Sequence, residues 1–116
     1  MLLLGGVVKI LIVGSRGITN FDLSAYVSGE VRLIISGGAS GVDAIAEKYA
    51  DERKISKLIL RPEYSRYGRR APLLRNEKMV DLADEVLVIW DGVSRGTAYT
   101  IECAKKKGKS LKVITV

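Results

Sequence analysis

The chain has 116 residues, enough for one domain with its own core, and its 47% apolar and 28% charged residues exclude general disorder. The absence of histidine and the single cysteine, Cys103, exclude histidine-dependent triads, histidine-ligated or zinc-type metal sites and an internal disulfide, and favour a reducing cytoplasm. The net charge of +6 permits binding to nucleic acid or to phosphorylated small molecules.

The chain begins with an apolar stretch that leads into the first predicted strand. Residues 1–6 lack the basic start of a signal peptide and break at two glycines, so we interpret them as a lead-in to a strand at 7–13. A Gly-Ser-Arg-Gly loop follows at 14–17. No run approaches about 20 apolar residues, so no membrane-spanning segment is predicted.

A short helix and a second strand are expected next. Thr19 or Asn20 can cap a helix that runs to residue 27, and Gly29 is a suitable stop. The apolar run at 31–35 then has the length and composition of a buried strand.

The most informative stretch is the glycine-rich turn Ser36-Gly37-Gly38-Ala39-Ser40-Gly41-Val42-Asp43, which leads into a helix ending near residue 54. Its glycines let the backbone turn sharply, and the amides and dipole of the following helix favour an anion, so the turn predicts a phosphate site. Such turns also occur as simple connectors. We interpret Asp43 either as a capping-box partner of Ser40 or as an acceptor for a ribose hydroxyl.

The middle of the chain predicts a third strand at 58–60, closed by Pro62, which has no N–H for the ladder. Residues 63–71 combine tyrosines with several arginines, which is typical of a basic, aromatic surface loop. Pro72 suits the first turn of a helix at 72–82.

The C-terminal third predicts a fourth strand at 85–90, a ligand-type loop at 91–97, a helix capped by Thr97 and running to 107, and a last strand at 111–116. In the loop, Asp91 suits a turn, with a sugar hydroxyl or a magnesium ion as the alternative partner. We expect Trp90 in the core and Cys103 as a packed thiol, because no base accompanies it.

The predicted order βαβαβαβαβ indicates one Rossmann-like α/β domain over 1–116, with a five-stranded parallel sheet in a three-layer α/β/α sandwich. Loops at the carboxyl ends of such strands form the ligand crevice at the topological switch point. Because several of these loops are rich in Gly, Ser and Thr, we expect a nucleotide or another phosphorylated ligand. The candidates from the loops are Gly14, Ser15, Arg16, Gly37, Gly38, Ser40, Gly41, Asp43, Asp91, Gly92, Ser94, Gly96 and Thr97.

A set of motifs spans nearly the whole chain in this order: Gly14-Ser15-Arg16, the turn at 36–43, Arg75-Asn76-Glu77-Lys78-Met79, Ala83-Asp84 and Gly96-Thr97. Together they resemble the SLOG superfamily, which includes DNA-processing protein A, the LOG phosphoribohydrolases and small YspA-like proteins, the last being most similar. The resemblance implies a Rossmann-like fold, a nucleotide-type ligand and ligand contacts from Arg75 and Asn76.

The resemblance to the LOG enzymes has gaps at the residues that matter for catalysis. Their Pro-Gly-Gly turn is replaced, and Thr100 stands where the family places a glutamate. Glu102 lies two residues further on, which rotates it by about 200° around the helix and away from the site. Cleavage of an N-glycosidic bond would therefore lack its acid/base group, which argues against this activity.

The resemblance to DNA-processing protein A implies a second function, binding of single-stranded DNA along a basic surface. A stacking platform for bases is available in the middle segment. Its residues are Tyr64, Arg66, Tyr67, Arg69 and Arg70.

The sequence thus predicts a protein that binds a nucleotide or nucleotide-derived ligand as a sensor or carrier. The alternatives are a single-stranded DNA-binding module and a LOG-like nucleotide phosphoribohydrolase. A homodimer is favoured because so small a chain leaves helix faces to cover.

Overall fold

A computed structural model describes residues 8–116; the predicted lead-in at 1–6 and the first position of the predicted strand at 7–13 lie outside these residues. The strands are β1 (Val8–Gly14), β2 (Val31–Ser36), β3 (Ser56–Ile59), β4 (Glu85–Trp90) and β5 (Ser110–Thr115). The helices are α1 (Val42–Arg53), α2 (Tyr64–Tyr67), α3 (Ala71–Leu82) and α4 (Arg95–Lys106), with a 3₁₀ helix at Gly68–Arg70.

All five strands join one parallel sheet in the order β3-β2-β1-β4-β5. The central strands β1 and β4 are mostly apolar because helices or loops cover both of their faces, and Leu11 and Ile12 are fully buried. The chain leaves β1 towards β2 on one side and later returns to β4 on the other. The carboxyl ends of β1 and β4 therefore form the topological switch point.

Each face of the sheet has its own apolar core. On one face, α1 and the segment between β1 and β2 cover residues such as Ile12 and Ile34. On the other face, α3 and α4 cover residues such as Leu11 and Val88. The predicted three-layer, Rossmann-like α/β/α fold with a five-stranded parallel sheet is confirmed.

The predicted helix from Thr19 or Asn20 to residue 27 is wrong, because the described chain forms turns there instead. Asp22 accepts hydrogen bonds from the backbone N–H and the hydroxyl of Ser24, at 2.9 and 2.7 Å, which competes with helical bonding. Leu23 is nevertheless buried in the core that a helix would have covered. The first crossover of the predicted βαβαβαβαβ order therefore has no helix.

Within the segment at 63–71, residues 63–70 are exposed, as predicted, but most of them are helical and do not form a loop. The Tyr67 N–H donates to the Glu63 carbonyl at 3.0 Å, and α2 and the 3₁₀ helix contain no buried residue. Ala71 already belongs to α3 and is 1% exposed. Short local hydrogen bonds formed this helix without the apolar face by which helices are usually recognised.

The start of α4 also differs from prediction. Thr97 was the predicted cap, but the helix begins two residues earlier at Arg95 and its N-cap residue is Ser94. Thr97 lies inside the first turn and is 7% exposed. The shift moves the free amides of the helix to residues 95–97, which matters for the site.

Candidate functional site

A cleft of about 320 Å³ opens at the switch point, where β1 and β4 end. Predicted residues on its lining are Gly14, Ser15, Arg16, Asp43, Arg75, Asn76, Ser94, Gly96 and Thr97. Residues that sequence reasoning did not select as ligand contacts complete it: Val13, Gly17, Ala39, Pro72, Leu73, Met79 and Thr100. Most of these are apolar or small and carry no chemical signal in the sequence.

The other candidates from the loops do not line this cleft: Gly37, Gly38, Ser40, Gly41, Asp91 and Gly92. Gly37 allows close packing, because a Cβ there would lie 2.7 Å from Arg75 Nη1 and 2.9 Å from Asp43 Oδ2. Gly41 has a φ of +73°, and an added Cβ would lie 2.5 Å from the Arg16 carbonyl oxygen. These glycines build the frame around the cleft.

Two amides of the glycine-rich turn are bound inside the protein. Gly38 N–H donates to Ser36 Oγ at 3.3 Å, and Ala39 N–H donates to Asp43 Oδ2 at 3.1 Å. The predicted Ser40–Asp43 capping box is wrong, because Gly41 is the N-cap and no side chain caps α1. These two amides are not available to a phosphate, and the Asp43 carboxylate in the first turn of α1 disfavours an anion there.

The N-terminus of α4 is different. The amides of Arg95, Gly96 and Thr97 donate to no residue that the structure describes, and no acidic residue lies in the first turn. Arg95 and Gly96 are exposed, and Gly96 and Thr97 line the cleft. This helix end therefore presents free N–H groups and a positive dipole end to the cleft.

Asp91 holds the start of α4 in place instead of facing the cleft. Its Oδ1 accepts from Val93 N–H at 2.9 Å and from Ser94 N–H at 2.8 Å, and its Oδ2 accepts from Ser94 Oγ at 2.8 Å. The backbone N–H groups of Val93 and Ser94 lower the pKa of Asp91 to about 2. These contacts agree with the prediction that Asp91 forms a turn.

Ser15 joins the loops after β1 and β4. Its hydroxyl oxygen accepts from Asp91 N–H at 2.9 Å and lies 3.1 Å from Ser94 Oγ, and the residue is 1% exposed. Ser15 N–H also donates to the Ile89 carbonyl at 3.1 Å. These bonds hold the two cleft walls at a fixed separation.

Arg75 ties α3 to the ends of β2 and β3. Its Nη1 donates to the carbonyls of Gly37 and Leu60 at 2.6 and 3.0 Å, and its Nε donates to Asn76 Oδ1 at 2.7 Å. Burial lowers the pKa of the Arg75 guanidinium, the carboxyl of Asp43 opposes this, and the positive charge of Arg16 adds to it. Much of its hydrogen-bonding capacity is already used.

Arg16 is the exposed cation of the cleft. No described residue forms a salt bridge or a hydrogen bond with its guanidinium. With Arg75 it gives the lining two positive charges against the single negative charge of Asp43. The cleft therefore carries net positive charge, which suits an anionic ligand.

Asp43 is the acidic group of the cleft and is 6% exposed. Burial raises the pKa of its carboxyl, while the Ala39 N–H and the Arg75 guanidinium act in the opposite direction. The sequence predicted Asp43 either as a capping-box partner of Ser40 or as an acceptor for a ribose hydroxyl. The structure excludes the capping box.

Thr100 and Glu102, the two helix positions compared for catalysis, lie on different sides of α4, as their spacing predicts. Thr100 lines the cleft and donates to the Gly96 carbonyl at 3.1 Å. Glu102 is exposed on another side of α4 and lies 3.4 Å from Lys105 Nζ. Cys103 is buried, and burial raises the pKa of its thiol. No carboxylate on α4 therefore reaches the cleft.

The predicted nucleic-acid residues lie beside the cleft. Arg66 and Tyr67 line a second depression of about 430 Å³, which shares Arg75 with the first. Tyr64 and Tyr67 are 58% and 41% exposed, and Arg66 lies 5.1 Å from the ring centre of Tyr67. Arg69 and Arg70 are exposed on the 3₁₀ helix.

Within residues 8–116, no group of three or more acidic or cysteine side chains could hold a metal ion, and no helix is long and apolar enough to cross a membrane. No family model, curated protein or solved structure matches the chain. Fold and cleft together define a Rossmann-like α/β protein with an open, positively charged cleft at its switch point.

Proposed function

We propose that this protein binds a nucleotide or nucleotide-derived ligand in the switch-point cleft, with the phosphate at the N-terminus of α4. The observation that carries the proposal is the free first turn of α4, with Gly96 and Thr97 on the cleft lining. Free amides and the positive end of a helix dipole stabilise a phosphate there. The resemblance to the SLOG superfamily supports the same ligand class.

Arg16 is the second phosphate contact in this proposal. Its guanidinium is exposed, lines the cleft and has no acidic partner among the described residues, so it is available for charge-assisted bonds to phosphate oxygens. Asn76 supplies a further polar group, since its Oδ1 is bound by Arg75 Nε and its amide N–H groups remain for a ligand.

The proposed role is a sensor or carrier rather than an enzyme. Base release from a nucleoside monophosphate needs a positioned acid or base. Thr100 is neutral, Glu102 faces away and the Asp91 carboxylate is held in a turn, so among the described residues Asp43 is the one carboxylate on the cleft lining and no second acid/base group accompanies it. A LOG-like phosphoribohydrolase remains the alternative that detection of free base from AMP, GMP, CMP or UMP would favour.

The proposal is tested by thermal unfolding and calorimetry with AMP, GMP, CMP and UMP. At a hundredfold excess over Kd, a ligand that binds only the folded state stabilises it by about 2.7 kcal/mol. We expect Arg16→Ala to weaken binding about tenfold or more, because a hydrogen bond to a charged group is lost. Lys48→Ala removes an exposed positive charge from the middle of α1 and should have no effect. Unfolding curves that none of the four nucleotides shifts would refute the proposal.

A second candidate function is binding of single-stranded DNA on the surface of α2 and the 3₁₀ helix. Two exposed tyrosines beside three exposed arginines favour it, since bases stack on aromatic rings and arginines contact phosphates. Affinity for an oligonucleotide should then fall steeply with salt, with log K declining by about 0.7 per phosphate contact per decade. A mononucleotide in the cleft should show a shallow slope.

A further inference from the structure

Asp43 is a buried acidic side chain that faces a ligand cleft without a side-chain partner. It is 6% exposed, and one of its oxygens, Oδ2, accepts from Ala39 N–H at 3.1 Å. No described side chain donates to Oδ1, and no described cation forms a salt bridge with the carboxylate. A carboxylate has about four acceptor positions, and the backbone N–H groups of Ala39 and Gly37 use only part of them, so Asp43 can accept further hydrogen bonds from the cleft that it lines.

A ligand group that donates to Asp43 has to reach it from the cleft, and the phosphate is not that group. A phosphate would be repelled by the carboxylate, and it already has a better place at the α4 N-terminus and Arg16. Asp43 reaches the cleft from α1, which covers one face of the sheet, whereas α4 covers the other. The cleft therefore has an anion-binding wall and a hydrogen-bond-accepting wall.

We infer that Asp43 accepts hydrogen bonds from the sugar hydroxyls of the ligand and so selects ribonucleotides over deoxyribonucleotides. The inference rests on the proposed nucleotide function and adds the substrate class. In a nucleoside 5′-phosphate the sugar is the moiety joined to the phosphate, and its 2′ and 3′ hydroxyls are neutral donors. Burial raises the pKa of Asp43, and hydroxyl donors from a ligand would favour its charged form.

The test compares three forms of one nucleotide. For whichever of AMP, GMP, CMP and UMP binds tightest, affinities for the ribo, 2′-deoxy and 3′-deoxy forms are measured by calorimetry. We expect at least one deoxy form to bind about tenfold to a hundredfold more weakly, as for loss of a hydrogen bond to a charged group. In Asp43→Asn the ribonucleotide should lose affinity and the discrimination should shrink.

The matched control is Glu52→Gln, which neutralises an exposed carboxylate on the same helix and should leave both affinity and discrimination unchanged. Unfolding curves without ligand establish that each variant is folded. If Asp43→Asn does not fold, the comparison in the unchanged protein decides, since it needs no variant.

Several outcomes would overturn the inference. Equal binding of all three sugar forms removes it while leaving the nucleotide-binding proposal intact. Discrimination that persists in Asp43→Asn assigns selection to another residue. A change in the ranking of the four bases, without a change in sugar preference, places Asp43 against the base. Failure of every nucleotide to bind overturns both proposals together.

Discussion

The turns that precede α1 and α4 look alike in sequence but differ in what their amides contact. In the first turn, Ala39 N–H binds the Asp43 carboxylate and Val42 N–H binds the Ser15 carbonyl. In the second, the Val93 and Ser94 N–H groups bind the Asp91 carboxylate, whereas the amides of residues 95–97 in the first turn of α4 have no described acceptor. Glycine content is higher in the first turn, yet the second presents the more open anion site.

The physical reason lies in charge and in space. Helix α1 carries the carboxylate of Asp43 in its first turn, which already complements the dipole, and its N-cap Gly41 packs against the backbone of the β1 loop. Helix α4 has no acidic residue in its first turn, and a Cβ on Gly96 would meet nothing within 4 Å. Free amides and open space, rather than glycines alone, identify the proposed phosphate position.

The largest expected effect is on stability and concerns Gly41. Gly41→Ala places a side chain at a φ of +73° with its Cβ 2.5 Å from the Arg16 carbonyl oxygen. Backbone strain and overpacking should lower the free energy of unfolding by about 2–4 kcal/mol. Gly29→Ala, where the new methyl group meets nothing within 4 Å, is the control. Equal urea midpoints for the two variants would show that Gly41 is not a packing residue.

The next effect is on binding and concerns α4. Gly96→Asp gives α4 the first-turn carboxylate that α1 already has, so it should weaken nucleotide binding about tenfold to a hundredfold by repulsion and competition for the amides. Stability should hold or rise by about 0.3–1 kcal/mol, since the acid complements the dipole. Calorimetry against Gly96→Asn separates charge from size. If the Asp and Asn variants bind equally well, the phosphate lies elsewhere.

A smaller effect distinguishes the two turns by pH. Hydrogen bonds lower the pKa of Asp91 to about 2, so its contribution to stability is complete above its ordinary value of 3.8 and is lost as pH falls towards 2. Burial raises the pKa of Asp43, so its contribution is complete below 3.8 and is lost as pH rises through the raised pKa.

The measurement is the free energy of unfolding in urea between pH 2 and 7. Asp91→Asn should flatten the rise in stability between pH 2 and 4, whereas Asp43→Asn should remove a decline at higher pH. Because Asn keeps the shape of Asp, the two variants differ from the parent mainly in charge. Parallel pH profiles for the parent and both variants would contradict the opposite shifts.

Much of the fold could be predicted from local patterns. The apolar runs of β1 and β4 and the proline at the start of α3 have the signals expected of buried strands and a helix start, and both strands lie centrally in the sheet. The helix expected before β2 failed because Asp22 bonds to the Ser24 N–H, and propensity alone does not reveal such competition.

The candidate site was predicted less completely. Arg16 and Asp43 lie in the cleft as expected, but Arg75, assigned to the ligand by resemblance, donates to the Gly37 and Leu60 carbonyls. Those acceptors lie 38 and 15 residues away along the chain. No local pattern predicts that such distant carbonyls will converge on one guanidinium.

The sequence by itself determined the class of fold, because alternating apolar strands and helices admit few arrangements other than a parallel sheet covered on both faces. It also determined that the loops at the strand ends would be short and rich in Gly and Ser. Only the tertiary structure decided which of these loops keeps free amides and which carboxylate turns inward. Those properties depend on the partners that each group meets across the sheet, and hydrogen bonds between distant segments form only once the strands are in register.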